Sequence, residues 1–205
     1  MPKIRAASID EHKELTRRAL LDAAFHVIAE AGSAEVPLGE IALAAGVGRT
    51  TFYDYFDDRD DVIASLVEDK LPGVIAELIE SVPRGLGIAD RLAMLASTTV
   101  EFVATDKVFG VILHREVGRM GVDAQERIRE SHAQLATELA HIYVTGVSDG
   151  VFRPMPPYLA GRLIQDTIMS AARALIDDET RRQEVTRGVE AFLLGGLGAP
   201  MERSG

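Results

Sequence analysis

A chain of 205 residues with a formal net charge of −10, 47 % hydrophobic and 26 % charged, has the composition of a globular protein large enough to build its own core. It has no cysteine, which excludes disulfides, a thiolate nucleophile and Cys-ligated metal. No apolar run approaches the ~18 residues of a membrane span, and the start MPKIRAASIDEH lacks an apolar signal core, so a cytoplasmic protein is expected.

Ser8 and Glu11 form an S-x-x-E capping box, which predicts a helix opening there and stopping at Gly32. Leu21, Ala24, Phe25 and Ile28 are its apolar stripe. The segment before it carries Lys3 and Arg5 and reads either as a basic arm for a minor groove or as a free terminus. In LGEIALAAGVGRTTFYDYFDDR, residues 38–59, Leu38, Ile41, Ala42 and Ala45 share one helix face. Gly46 stands where a helix end needs a left-handed residue. A second short helix is predicted over 49–56, with Phe52 and Phe56 inward and Thr50, Tyr53, Asp54 and, less squarely, Thr51 outward. Two short helices around a tight glycine turn read as helix-turn-helix, a motif whose second helix enters the major groove. Arg49 in the first turn has the donors to bond guanine O6 and N7, and threonine suits a thymine methyl or a phosphate. Taken singly, Arg49 reads as a solvated charge, and Tyr53 and Tyr55 as half-buried packing residues; only the whole motif favours DNA contact.

The pattern AGVxRxTxYxYFxxR resembles the DNA-reading segment of the tetracycline-repressor (TetR) family of bacterial transcription regulators. The resemblance implies an all-α chain: a three-helix DNA-binding domain over 1–58, then a connecting helix leading an all-helical ligand-binding and dimerisation domain over 59–205. It implies base-proximal roles for Arg49, Thr50 and Thr51. It implies phosphate contacts for Tyr53, Tyr55 and Arg59, the last standing where the family usually has lysine. Pro37 replaces the usual hydroxyl cap of the first short helix, leaving the backbone N–H groups of Leu38 and Gly39 for phosphate. Gly48 replaces a serine and lacks a side-chain acceptor. Asp54 is open to two readings, acceptor for cytosine N4 or solvated acid. Residues 1–58 hold six Lys/Arg against ten Asp/Glu, so DNA binding must rest on a few well-placed cations.

Asp58 reads as the N-cap of the connecting helix, with Asp61 at N3, and Pro72 is expected to kink or end that helix. VPRGLG, residues 82–87, is the next break. Further helices are predicted over Ala89–Thr105, Lys107–Met120, Asp123–Ser148, Pro157–Ile176 and Thr180–Leu197, with DGVFRPMPP separating the long middle helix from the last two. GLGAPMERSG reads as a frayed tail. Met94, Thr98, Phe102, Phe109, His114, Tyr143 and Thr167 suit a mostly apolar ligand pocket. The final two helices mix small residues with Leu163, Ile164, Ile168, Leu175, Val189, Phe192 and Leu193, which the family pattern places in a two-fold helical bundle with a second copy.

The expected function is a ligand-released, homodimeric repressor on a palindromic operator, with no metal, cofactor or catalytic residue. Two rivals are a helical module that does not bind DNA and a helical enzyme. Against the enzyme, the five histidines form no H-E-x-x-H, and Gly195, Gly196 and Gly198 follow no strand.

Overall fold

Helix α1 (Pro2–Ala31) opens the chain in a computed structural model that describes the backbone of residues 2–198 and the side chains of 10–198. It starts before Ser8, so the predicted capping box lies inside the helix. The side chains of Lys3 and Arg5 and the tail from residue 199 lie outside the described residues. Then come α2 (Leu38–Ala44), α3 (Arg49–Phe52), α4 (Arg59–Ser81) and α5 (Ile88–Thr105). Next, α6 (Phe109–Val111) widens into a π-helical turn, Ile112–Glu116, and tightens into a 3₁₀ turn, Val117–Arg119. The chain continues through α7 (Val122–Ser131), α8 (Ala133–Ser148), α9 (Pro157–Asp177) and α10 (Arg182–Leu197). Among the described residues the only strand-like pairing is a single bridge, Phe152 to Gly198.

Several expectations shift. Regular helix in the recognition segment ends at Phe52, and Tyr55 N–H bonds the Phe52 carbonyl three residues back at 3.0 Å. Pro72 sits within α4 without ending it. The helix predicted over 107–120 is irregular, and the one predicted over 123–148 breaks at His132 into α7 and α8.

Two compact units emerge. The first comprises residues up to Lys70 together with Lys107–Glu130. Its core takes Leu20, Leu21, Ala24 and Ile28 from α1, Ile41 and Ala42 from α2, Phe52 and Phe56, and Val62, Ile63 and Leu66 from α4. Phe25 meets Phe109 edge-on at 6.4 Å. Asp58 caps α4 as expected: its Oδ1 accepts from Asp61 N–H at 2.9 Å, and Asp61 returns Oδ2 to Asp57 N–H at 3.0 Å. Arg127 of α7 then grips α4, bonding Asp61 at 2.7 Å, Ser65 at 2.7 Å and Glu68 at 2.6 Å. The Glu68 carboxylate, with Asp61 behind it, holds Arg127 protonated far above the ordinary arginine range.

The second unit comprises Leu71–Asp106 and the residues from Ser131 on. α5, α8, α9 and α10 pack around Leu92, Leu95, Val100, Leu139, Ile142, Ile164, Ile168 and Leu193. The DGVFRP segment ties α8 to the end of α10. The buried Phe152 ring stacks on Tyr143 with centroids 6.2 Å apart, and Tyr143 Oη accepts from Met155 N–H at 2.8 Å. Arg153 N–H bonds the Leu197 carbonyl at 2.7 Å, and its Nε bonds the Gly198 carbonyl at 2.8 Å. This arrangement requires glycine at 146, because a Cβ there would overlap the Phe152 ring. Gly146→Ala is therefore expected to cost about 1–3 kcal/mol, as overpacked cores do. Thermal unfolding should show a drop of roughly 2–4 °C per kcal/mol.

Candidate nucleic-acid interface

Helix α2 ends in a two-bond glycine cap. Gly46 adopts φ +71°, its N–H bonds Leu43 O at 3.0 Å, and Val47 N–H bonds Ala42 O at 3.0 Å. An L-residue is strained at that φ, so glycine at 46 sets the angle at which the chain enters α3. Pro37 and Gly48 both open their helices without a side-chain cap, as the sequence indicated. Phe52 and Phe56 are buried with ring centroids 5.5 Å apart, and Arg17 lies over the Phe56 ring at 5.8 Å. With those two rings inward, Arg49, Thr50, Tyr53 and Asp54 face solvent, Thr51 and Tyr55 are half-buried, and Leu38 and Gly39 are half-buried at the start of α2. Arg49 has no ion-pair partner among the described residues, so its guanidinium is available to a base edge or a phosphate.

Arg59 is engaged within its own unit. Its Nε donates to the Ala34 carbonyl at 2.7 Å, and its Nη2 donates to Glu116 Oε2 at 2.6 Å. Glu116 is 4 % exposed, and it closes the π-helical turn. The pair therefore links the start of α4 to the loop before α2 and to the segment 107–130. Beside it, Asp60 accepts from Gly121 N–H at 2.8 Å. A buried carboxylate needs a compensating charge, and Arg59 supplies it through Nη2 while its side chain stays about a third exposed. No local pattern announces a pairing across 57 positions.

A concave surface runs beside the recognition turn, lined by His12, Lys13 and Thr16 of α1, by Gly46 and Val47, and by Thr51 and Tyr55. The α1 residues were not singled out from the sequence. A signal was present: Lys13, Thr16 and the buried Leu20 lie at i, i+3 and i+7, one stripe of the helix.

The residues suggested for a ligand pocket fall in both units. Phe109 is buried in the first against Phe25, and His114 is half-buried on the π-helical turn. Met94, Thr98, Phe102, Tyr143 and Thr167 belong to the second. Met94 is partly exposed, the Thr98 and Thr167 hydroxyls donate to the carbonyls of Met94 and Leu163 on their own helices, and Phe102 packs against the core. Tyr143 is committed to the DGVFRP segment through both ring and hydroxyl. The residues suggested for dimerisation also divide. Ile164, Ile168, Leu175, Val189 and Leu193 are claimed by the core of their own chain, whereas Leu163 is 47 % and Phe192 68 % exposed. Among the described residues no cluster of three or more His, Asp or Glu is placed to hold a metal ion. No helix among them is long and apolar enough to cross a membrane.

Glu116→Ala should destabilise the fold. Removing one partner of a fully buried pair costs more, but Arg59 is about a third exposed and can rehydrate. A loss of about 1–2 kcal/mol is expected, read from denaturant unfolding with an unchanged m-value.

Comparison with known proteins agrees with this geometry. Residues 20–66 match the family model described as bacterial regulatory proteins, tetR family, and residues 85–173 match that of the tetracyclin repressor-like C-terminal domain. The fatty acid metabolism regulator protein of Bacillus subtilis is 27 % identical over 150 residues, 73 % of this chain and 77 % of its own length. The HTH-type transcriptional repressor LfrR of Mycolicibacterium smegmatis is 50 % identical over 54 residues, 26 % of this chain and 28 % of its own. The crystal structure of FadR from Bacillus subtilis in complex with stearoyl-CoA superposes with a TM-score of 0.73 at 24 % identity, covering 87 % of this chain and 98 % of that one. The chain belongs to the tetR family of bacterial regulatory proteins and is a DNA-binding transcriptional regulator, not an enzyme.

Proposed function

We propose that the protein is a cytoplasmic homodimeric repressor that reads a palindromic operator with Arg49, Thr50 and Thr51 and leaves it when a small molecule binds. The observation that carries the reading is the recognition turn itself: Phe52 and Phe56 buried, Arg49 outward and without an ion-pair partner among the described residues. Residues 1–58 do the reading, and 59–205 carry ligand binding and dimerisation. Tyr53, 45 % exposed, suits a backbone phosphate, which fixes register without reading sequence. The effector enters among the helices of residues 89–176 and favours a conformation in which the two recognition helices no longer sit one DNA turn, about 34–36 Å, apart. The likeness to a fatty acid metabolism regulator makes a fatty acyl compound the first effector to test.

Two copies are needed because one recognition turn touches too few base pairs to be specific. The outward faces of α9 and α10 offer the contact: Leu159 and Leu163 on one, Phe192 among Gly188, Ala191 and Gly195 on the other. A patch of large apolar side chains beside small ones suits close helix packing against a second copy. Phe192→Glu should give a folded monomer in sedimentation at micromolar concentration. Val189→Glu should instead unfold the protein, since Val189 is 5 % exposed within its own chain.

Arg49→Ala should cost about 1–3 kcal/mol in operator affinity and relax the preference at one position of each half-site. Titration of the operator and its single-base variants checks this. Unchanged ranking of the variants would remove Arg49 from base reading.

A further inference from the structure

The groove beside the recognition turn sets two α1 side chains with no role so far, His12 and Lys13, beside Thr51 and Tyr55. One wall is α1, through His12, Lys13 and Thr16; the other carries Thr51 and Tyr55. Among the described residues no carboxylate lines it, although ten occur in residues 1–58. Lys13 has no ion-pair partner among the described residues, while Arg18 on the same helix is held by Glu14 at 3.0 Å. The amides of Gly46 and Val47 are occupied in closing α2, and the Thr16 hydroxyl donates to the His12 carbonyl at 2.9 Å. What remains is one ammonium group, the hydroxyls of Thr51 and Tyr55, and the His12 imidazole. A groove whose described lining holds one cation and hydroxyl donors but no acid fits a singly charged oxyanion. Thr51 and Tyr55 belong to the recognition segment, so the oxyanion at hand is a phosphodiester of the bound duplex.

We propose that this groove seats an operator backbone phosphate, with Lys13 as its charged contact. The proposal rests on the DNA-binding reading above. It gives α1 the phosphate role that the resemblance had assigned to Arg59. Arg59 is less available for that role, because two of its five N–H donors are held by Ala34 and Glu116. Each phosphate neutralised by a protein cation releases condensed counterions, so the contact is counted by the salt dependence of binding.

The test measures operator affinity of the full-length protein against salt concentration, using duplex recovered from a random pool. Each dimer carries two grooves. Lys13→Gln should lower the log–log slope by about 0.9 per half-site, about 1.8 in all. Lys13→Arg, which keeps the charge, should retain the wild-type slope. Arg59→Gln, checked for folding by circular dichroism, should leave the slope unchanged. An unaltered slope in Lys13→Gln, or a loss of slope in Arg59→Gln instead, would overturn the assignment. Wild-type protein that recovers no duplex would overturn the DNA reading itself, a result distinct from binding that ignores Lys13.

Discussion

The recognition segment contains one turn of regular helix, Arg49–Phe52. Four residues cannot hold a helix in water on their own propensity, because nucleation fixes several dihedrals for a single hydrogen bond. What holds it is burial. Phe52 and Phe56 are 0 % and 2 % exposed, and burying a phenylalanine contributes about 1.5–3 kcal/mol. That exceeds what the missing side-chain caps forgo, about 1 kcal/mol at Pro37 and a few tenths at Gly48. The two rings thus fix which side chains point outward, and the direction of Arg49 follows from them. Gly46 adds the turn angle, and the core of α1, α2 and α4 supplies the surface against which the rings pack.

Charge is the second constraint. With a net charge of −10 the protein approaches a polyanion against its own field. Many of its arginines are paired internally: Arg18 with Glu14, Arg59 with Glu116, Arg91 with Glu138 and Arg127 with Asp61 and Glu68. Around the recognition turn, Arg49 and Lys13 have no such partner among the described residues, and Arg17 is engaged with an aromatic face. A strongly acidic protein binds DNA weakly in the absence of base contacts, since non-specific affinity is almost wholly electrostatic. The charge balance therefore favours discrimination, because little affinity is available to sequences that Arg49 does not match.

Features carried by a few neighbouring residues were legible in the sequence. The Gly46 turn, the Asp58 cap and the inward pair Phe52 and Phe56 each depend on spacing within one or two turns of helix. The features that escaped it depend on distant partners or on a continuous pattern. Ala124, Ile128, Leu135, Leu139 and Ile142 keep helical spacing straight through His132, so periodicity does not reveal the break between α7 and α8. The π-helical turn at 112–116 likewise leaves the apolar run VFGVIL intact. Arg59 follows the family pattern in sequence, and only the fold brings Glu116 to it. In α9 and α10 every apolar residue looked alike, and packing separates core residues such as Ile164 and Val189 from the outward Leu163 and Phe192.

The central claim is that a short recognition turn, presented twice by a two-fold dimer, reads specific base pairs. Selection of bound duplex from a random pool tests it most directly, because it assumes neither the operator nor the effector. The account predicts recovery of an inverted repeat whose half-sites are centred about one helical turn apart, roughly 10 base pairs. Recovery of no enriched sequence, or of an isolated half-site with no symmetric partner, would contradict it.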